Sequence, residues 1–328
     1  FYTGSSEFMK LHFKKYAEWL KKGFLNSKSN LIEIGSNDGT FLNNFSNSNI
    51  NYVGFEPSEN VAKQAAQNNI NTINNFFNLN NVSELKSFVN KTDVICASNV
   101  ICHIPDLENL ILTVDKLLSK KGFFIFEEPY MGSMFEKVSY DQIYDEHIFM
   151  FSINSVKKIF NKYNFDLVNI FPQITHGGSM RYVLSRKKEH NVNQNVIEGL
   201  TLENKKNLDN LNSCLMFKKN CEESRDRTTN KLNEFIRDGK KICGYAATSK
   251  STTILNYCNI DKKTINFICD TTQEKIGKFS PGTHIPIVPT SYFHKNPTDI
   301  AYLFAWNHRE EIFAKEKDFI KNGGKWIS

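Results

Sequence analysis

Leu31-Ile32-Glu33-Ile34-Gly35-Ser36-Asn37-Asp38-Gly39-Thr40-Phe41-Leu42 is the stretch that decides the fold. Leu31–Gly35 is a short apolar run closed by glycine, the pattern of a buried strand. Gly35 and Gly39 allow the backbone to turn sharply and to approach a ligand with no Cβ in the way. The spacing Glu33-x-Gly35-x-x-x-Gly39 differs from the Gly-x-Gly-x-x-Gly that fits a pyrophosphate, and the lysine that serves a nucleoside triphosphate is missing. Backbone N–H groups in this loop, with a helix expected from about Thr40, favour the carboxylate of a bound amino acid. The next strand, Tyr52–Glu56, ends in an acid that can accept both hydroxyl protons of a ribose, and Asp38 is placed to take an ammonium. An amino acid and an adenosine on one molecule describe S-adenosylmethionine. Glu33, Gly35, Asn37, Asp38, Gly39, Glu56 and Ser98 are therefore the expected cofactor residues of a methyltransferase.

Working outward, residues 5–24 carry Phe8, Leu11, His12, Tyr16 and Leu20 at helical spacing, with Ser5 and Ser6 available as caps. Beyond the glycine loop, helices are expected over Glu59–Asn68, Val82–Phe88 and Leu107–Leu118, and strands over Asn71–Ile73, Asp93–Ala97 and Phe123–Glu127. This alternation predicts a doubly wound, mainly parallel sheet, the Rossmann-like α/β fold of class I methyltransferases. The segment Met131–Ile148 reads as irregular, a helix resumes over Ser152–Asn164, and Phe165–Phe171 with Met180–Ser185 read as an antiparallel pair at the sheet edge. From about Val192 to Arg237 a persistent apolar stripe predicts one or two connecting helices, stopped by Gly239. Lys241–Tyr245, Ile265–Cys269, Ile300–Phe304 and the stretch from Lys325 read as strands of a second, smaller α/β unit, with a helix over Thr252–Tyr257. The expected division is 1–188 for the methyltransferase domain, 189–238 for a helical connector and 239–328 for a C-terminal domain.

A chain of 328 residues exceeds the usual size of one hydrophobic core, which agrees with two domains. The net charge of +6 is spread along the chain, without the basic arm or the interleaved aromatics that track nucleic acid. It suits an anionic small substrate. The seven cysteines form no Cys-x-x-Cys pair, and several lie in apolar runs, so buried free thiols are expected. With no apolar run near membrane length and no signal peptide, a cytoplasmic protein without a membrane or nucleic-acid partner is expected.

Two histidines fall just past carboxyl ends of strands, where open α/β sheets bind their ligands. His103 follows Ser98-Asn99-Val100-Ile101-Cys102, and His147 ends Tyr144-Asp145-Glu146-His147. A histidine can accept a proton near neutral pH, a carboxylate such as Glu146 can fix its tautomer, and a phenol such as Tyr144 can donate to a developing oxyanion. That set suits deprotonation of a carbon beside a carbonyl, and it would equally activate a hydroxyl nucleophile. Residue chemistry alone leaves C- and O-methylation both open.

At this point the chain resembles the bacterial nucleotide-sugar C-methyltransferases, including the dTDP-4-keto-sugar 3-C-methyltransferases of deoxysugar pathways. The resemblance runs over nearly the whole chain. It rests on Glu33–Leu42 (EIGSNDGTFL), Tyr140–His147 (YDQIYDEH), Thr175–Arg181 (THGGSMR), Gly244–Cys258 (GYAATSKSTTILNYC), Pro281–Pro286 (PGTHIP) and Trp306-Asn307. The resemblance implies S-adenosylmethionine as cofactor, with S-adenosylhomocysteine as product, and a nucleotide-linked 4-keto sugar held with the help of the C-terminal domain. It implies that His147 is the base at the sugar C-3, that the enolate attacks the methyl group, and that Tyr144, Glu146 and His103 complete the catalytic set. Asn99, Tyr2, His176, Arg181 and Lys250 are implied on the substrate side. Family members usually begin with a small cysteine-bearing zinc domain; nothing of it is read here, and no zinc is expected in this chain. Where the family often has a second glycine, Gly244-Tyr245-Ala246-Ala247 carries Ala246, which would crowd a phosphate near Lys250. The rival readings are an O-methyltransferase with His147 deprotonating a hydroxyl, and a non-catalytic nucleotide-binding module.

Overall fold

Leu31 and Ile32 face opposite sides of one sheet, and both are fully buried. That is the arrangement expected of a parallel sheet with helices on both faces. The computed structural model describes residues 2–82 and 85–328. The chain folds as two units: the first holds residues up to 131 with 148–174 and 178–207, the second 132–147, 175–177 and 208–328.

The first unit is built on β1 (Asn30–Ile34), β2 (Asn51–Phe55), β3 (Thr72–Ile73), β4 (Thr92–Ser98), β5 (Leu118–Pro129), β6 (Phe165–Gln173) and β7 (Ser179–Arg186). Their order is β3-β2-β1-β4-β5-β7-β6. β1 to β5 pair in parallel, and β7 runs against both β5 and β6. The order reverses outward from β1 and β4, which makes their carboxyl ends the crevice where such sheets take ligands. Helix α1 (Glu7–Gly23) starts at Ser6, whose hydroxyl accepts the Met9 N–H, and buries Phe13, Tyr16, Ala17 and Leu20. These pack on Leu31, Val94, Cys96, Ile125 and Val183. On the other face Ile32, Ile34, Val53, Ile95, Phe124 and Phe126 share a core with α3 (Leu107–Leu117) and α5 (Ile153–Asn161). Between these, α2 (Glu59–Gln67) leads into β3 and α4 (Met131–Lys137) follows β5.

Several expectations change. The helix expected from Thr40 is only a 3-10 turn, Leu42–Phe45. Asn44 donates its side-chain amide to the Thr40 and Phe41 carbonyls, and the Ser46 and Ser48 hydroxyls donate to the Asn43 and Phe45 carbonyls. Side chains that bond the local backbone in this way compete with helix. In the expected helix Val82–Phe88, Ser83 and Glu84 lie outside the described residues, and Leu85–Phe88 forms a turn with the Phe88 N–H on the Leu85 carbonyl. The segment Met131–Ile148 is not wholly irregular: α4 opens it, and Met131, Met134 and Phe135 have the helical spacing that marks it. The stretch expected as a connector holds α6 (Gln194–Lys205) and α7 (Leu211–Arg237), and the unit boundary falls between them. Residues 132–147 and 175–177 group with the second unit and not with the first.

That second unit is a five-stranded parallel sheet, β10-β9-β8-β11-β12, made of β8 (Ile242–Tyr245), β9 (Ile268–Asp270), β10 (Ile287–Pro289), β11 (Ile300–Leu303) and β12 (Lys325–Ile327). It again winds outward from its first strand in both directions. Leu232 and Phe235 of α7 and Leu255 of α8 (Ser249–Tyr257) cover Ile242, Ile268, Ile300 and Tyr302. The opposite face packs Cys243, Cys269, Ala301 and Leu303 with Phe293 of α9 (Thr290–Lys295) and with Ile312, Phe313 and Phe319 of the short α10 (Arg309–Lys315) and α11 (Lys317–Lys321). All seven cysteines are free thiols, six of them buried and Cys214 exposed. Among the described residues no helix is long and apolar enough to cross a membrane.

Candidate active site

The glycine loop leaves β1 through Gly35, Asn37 and Gly39, all at positive φ (67°, 49° and 77°). Close approach adds to the demand for glycine. A Cβ on Gly35 would stand 2.4 Å from a Val100 methyl, and one on Gly39 would stand 2.8 Å from Ile70. Glu56, at the end of β2, accepts the Asn37 N–H at 3.0 Å on one oxygen and the Ser58 N–H at 2.8 Å on the other. It fixes the loop and keeps a lone pair on each oxygen. Asp38, expected to meet an ammonium, is committed locally: one oxygen takes the Gly4 N–H at 2.7 Å, and the other takes the Thr40 N–H and hydroxyl at 3.2 and 2.6 Å. It ties the turn Thr3–Ser5 down, with Asn37 accepting the Thr3 N–H at 3.0 Å. Tyr2 borders a cleft of about 740 Å³ beside this turn, lined also by Lys14, Asp38, Gly39 and Thr40.

Glu33 is the unsatisfied acid of the set. It is 4% exposed, one carboxylate oxygen is buried with no hydrogen-bond partner, and burial with the nearby Asp38 and Glu56 carboxylates pushes its carboxyl well above the usual range. A buried acid beside two others calls for a cationic or donating partner. S-adenosylmethionine, with a sulfonium and an ammonium, is such a partner, so the residues present fit the cofactor.

At the end of β4, Ser98 pairs with Glu127 of β5, and Asn99 turns at φ 57° with its N–H on the Glu127 carbonyl at 2.8 Å. The Asn99 side-chain oxygen is buried with no hydrogen-bond partner. His103 closes the 3-10 turn Ile101–His103 that follows. Arg181, expected on the substrate, is instead spent inside the protein. The β5–β7 register sets it directly opposite Glu127, its Nε donates to that carboxylate at 2.6 Å, and its guanidinium lies over the rings of Tyr16 (3.7 Å) and Trp19 (4.7 Å). The other Glu127 oxygen meets His12 Nε2 at 2.8 Å. Although burial alone would raise it, His12 and Arg181 together hold the Glu127 carboxyl below its ordinary value.

The remaining candidates belong to the second unit. Tyr144 Oη and His147 Nε2 are 2.7 Å apart, and His147 Nδ1 is 2.8 Å from the Gln142 carbonyl. A carbonyl only accepts, so in the neutral imidazole Nδ1 carries the proton and Nε2 offers its lone pair to the phenol. A backbone carbonyl five residues before the histidine thus sets the proton on Nδ1. Glu146 itself is exposed: the turn that closes with the His147 N–H on the Tyr144 carbonyl directs the ring back onto Gln142. His176 sits at φ 52° in the 3-10 turn Thr175–Gly177, and the missing Cβ of Gly177 makes room for Trp306, which would lie 2.0 Å from one.

Lys250, in the first turn of α8, is 7% exposed and its ammonium has no hydrogen-bond partner. It faces an Asp141 oxygen at 4.0 Å and the Trp306 ring at 5.2 Å. Burial pulls its pKa down and Asp141 opposes this, while the indole N–H of Trp306 donates to the same Asp141 oxygen at 2.8 Å. Asp141, Gln142 and Trp306 are neighbours of these candidates that residue-by-residue reading missed. Their signal lay in the motifs YDQIYDEH and Trp306-Asn307.

The family matches divide the chain at residues 170–174 and not at the boundary between the two units. Residues 8–170 match the methyltransferase-domain family, and residues 174–328 match the family described as the C-methyltransferase C-terminal domain. The chain is 29% identical over 298 residues to the C-methyltransferase NovU of Streptomyces niveus, which covers 90% of this chain and 71% of that protein. Among solved structures it is similar to an S-adenosylmethionine-dependent methyltransferase from Archaeoglobus fulgidus (20% identity, 50% of this chain and 71% of that one, TM-score 0.41). It is also similar to a magnesium protoporphyrin IX methyltransferase from Synechocystis with bound S-adenosylmethionine (14% identity, 54% and 79% covered, TM-score 0.40).

Proposed function

We propose that this chain is an S-adenosylmethionine-dependent C-methyltransferase that methylates C-3 of a nucleotide-linked 4-keto deoxysugar with His147 as the base. The observation that carries the reading is the Tyr144–His147–Gln142 chain, which leaves an unprotonated Nε2 beside a phenol. A hydrogen on carbon next to a ketone is removed only if a base takes it while a donor meets the charge growing on the carbonyl oxygen. His147 Nε2 takes the C-3 proton. The Tyr144 hydroxyl, released from Nε2 as that lone pair is used, donates to the developing oxyanion, and Gln142 steadies the imidazolium through Nδ1–H. The bound cofactor supplies an electrophilic methyl on sulfonium.

Glu33, with its orphan oxygen, meets the positive end of the cofactor, while Glu56 takes its ribose hydroxyls. Glu33 therefore replaces Asp38 as the group for the ammonium. The Asn99 side-chain oxygen suits a sugar hydroxyl, and the Lys250 ammonium, which makes no hydrogen bond, suits a phosphate oxygen of the nucleotide.

His147→Gln is expected to lower turnover by about 10² to 10⁴ while calorimetry with S-adenosylhomocysteine stays unchanged. Without cofactor, the native protein is expected to exchange the C-3 hydrogen of a 4-keto sugar nucleotide with deuterated solvent, and His147→Gln to lose that exchange. The methylated product is expected to show a methyl singlet on a quaternary carbon. Native turnover by His147→Gln would remove the base assignment.

A further inference from the structure

β5 carries, just before its last residue Pro129, two consecutive glutamates that face opposite sides of the sheet. Glu127 meets His12 and Arg181 on the α1 face. Glu128, fully buried, turns the other way: one of its oxygens accepts the Val100 N–H at 2.9 Å and the Ile101 N–H at 2.6 Å, while the other has no hydrogen-bond partner. The Asn99 N–H goes to the Glu127 carbonyl at 2.8 Å. Three successive amides after β4 are thus held by the last residues of β5.

This turn needs an anchor. Asn99 is at φ 57° and Val100 at φ −132°, ψ −38°, so no regular element fixes the backbone between β4 and the 3-10 turn Ile101–His103. Val100 is held on two sides, by the Glu128 oxygen at its N–H and by Gly35, whose missing Cβ leaves room for the Val100 methyls. Burial raises the Glu128 carboxyl, the Cys102 side chain and the amides of this turn oppose it, and the balance stands at about 7. An acid retained in such a place against its desolvation is held there by the donors it meets.

We propose that Glu128 is a positioning residue for methyl transfer: its carboxyl oxygen anchors the turn Asn99–His103 and, through Val100, sets that turn against the cofactor loop at Gly35. The inference rests on the reading that Asn99 and His103 serve the acceptor. A misplacement of about 1 Å at such groups costs on the order of 10²-fold in rate.

The test compares Glu128→Leu, which removes the acceptor at similar volume, with Glu128→Gln, which keeps one oxygen for the two amides. Methyl transfer from labelled S-adenosylmethionine to a dTDP-4-keto-2,6-dideoxyhexose gives kcat, and calorimetry gives the affinity for S-adenosylhomocysteine. Glu128→Leu is expected to lower kcat about 10- to 100-fold, with the affinity changed by less than about threefold. The cofactor loop keeps its own anchors, Ser36 N–H on the Phe55 carbonyl and Asn37 N–H on Glu56. Glu128→Gln is expected to recover to within about threefold of native kcat. Native kcat in a folded Glu128→Leu, or equal loss in both variants, overturns the proposal.

Should Glu128→Leu fail to fold, or the probe sugar fail to react, amide hydrogen exchange decides. Val100 and Ile101 amides protected in the native protein and in Glu128→Gln support the anchor, and exchange at the rate of an open loop overturns it. Native activity in both Asn99→Ala and His103→Ala would instead remove the underlying reading of the turn, an outcome distinct from any Glu128 result.

Discussion

Ala246 adopts φ 72°, in the left-handed region where a β-carbon crowds the backbone. It sits at the first bend after β8, with its N–H on the Cys269 carbonyl and the next amide, Ala247, on Asp270 at 2.7 Å, so the surroundings dictate the conformation. Ala246→Gly relieves that crowding and gives back part of the gain through the freer unfolded chain. The expected net effect is a stabilisation of about 0.5–1 kcal/mol, read as a higher urea midpoint at unchanged slope. Unchanged or lower stability would mean that the bend tolerates the methyl group. Asp38 teaches the complementary lesson at the same scale. An acid in a ligand loop looks free in sequence, yet its two oxygens already have three donors, while Glu33, hidden within a strand, has an oxygen to spare.

Among elements, α5 depends on a residue of another helix. Glu203 of α6, 3% exposed, accepts the Ile153 and Asn154 N–H groups at 2.7 and 2.9 Å and the Tyr130 hydroxyl at 2.9 Å. It supplements the local cap, in which Ser152 and Ser155 bond each other's N–H. Glu203→Ala leaves those donors buried, and a loss of about 2–4 kcal/mol is expected in urea unfolding, against less for Glu203→Gln, which retains an oxygen. The contrast between α5 and the loop after β1 shows what sequence could reveal. The Ser152 cap and the apolar spacing of Ile153, Val156 and Phe160 are local signals, and α5 was legible from them. So were β1, the glycines that follow it, and the alternation of strands with helices along the chain, which follow from period and punctuation. The missing helix at Thr40 was not, because the decision turned on where Asn44 and Ser46 directed their side chains. The fate of Arg181 was hidden too. Its partner Glu127 is distant in sequence and becomes its neighbour only through the antiparallel register of β7. The Tyr144–His147 pair was legible as a motif, whereas the carbonyl that sets its tautomer belongs to backbone, which carries no residue label.

At the scale of the whole molecule, buried acids set the response to pH. Glu128 titrates near 7 in the folded protein, against about 4.5 in the unfolded chain, so the folded state binds the proton more tightly between these values. Stability from this group is then full below about 4.5, falls as pH rises, and levels off above about 7, a change of up to roughly 3 kcal/mol. Glu127 has the opposite sign and acts in another window: its depressed pKa contributes stability that is lost only as pH falls below the ordinary carboxylate range. Denaturation between pH 5 and 7.5 is expected to show native stability declining relative to Glu128→Gln; parallel curves would contradict the assignment. The path of the chain carries a last consequence. Residues 132–147, with Tyr144 and His147, belong to a unit whose other main portion starts only at Leu208. On a ribosome adding roughly 5–20 residues per second, the first sheet can close while that segment still waits, exposed, for its partners to be synthesised. Vectorial synthesis therefore yields the first unit before the second, and a nascent chain halted near residue 207 would hold the first sheet without the folded surroundings of the proposed base.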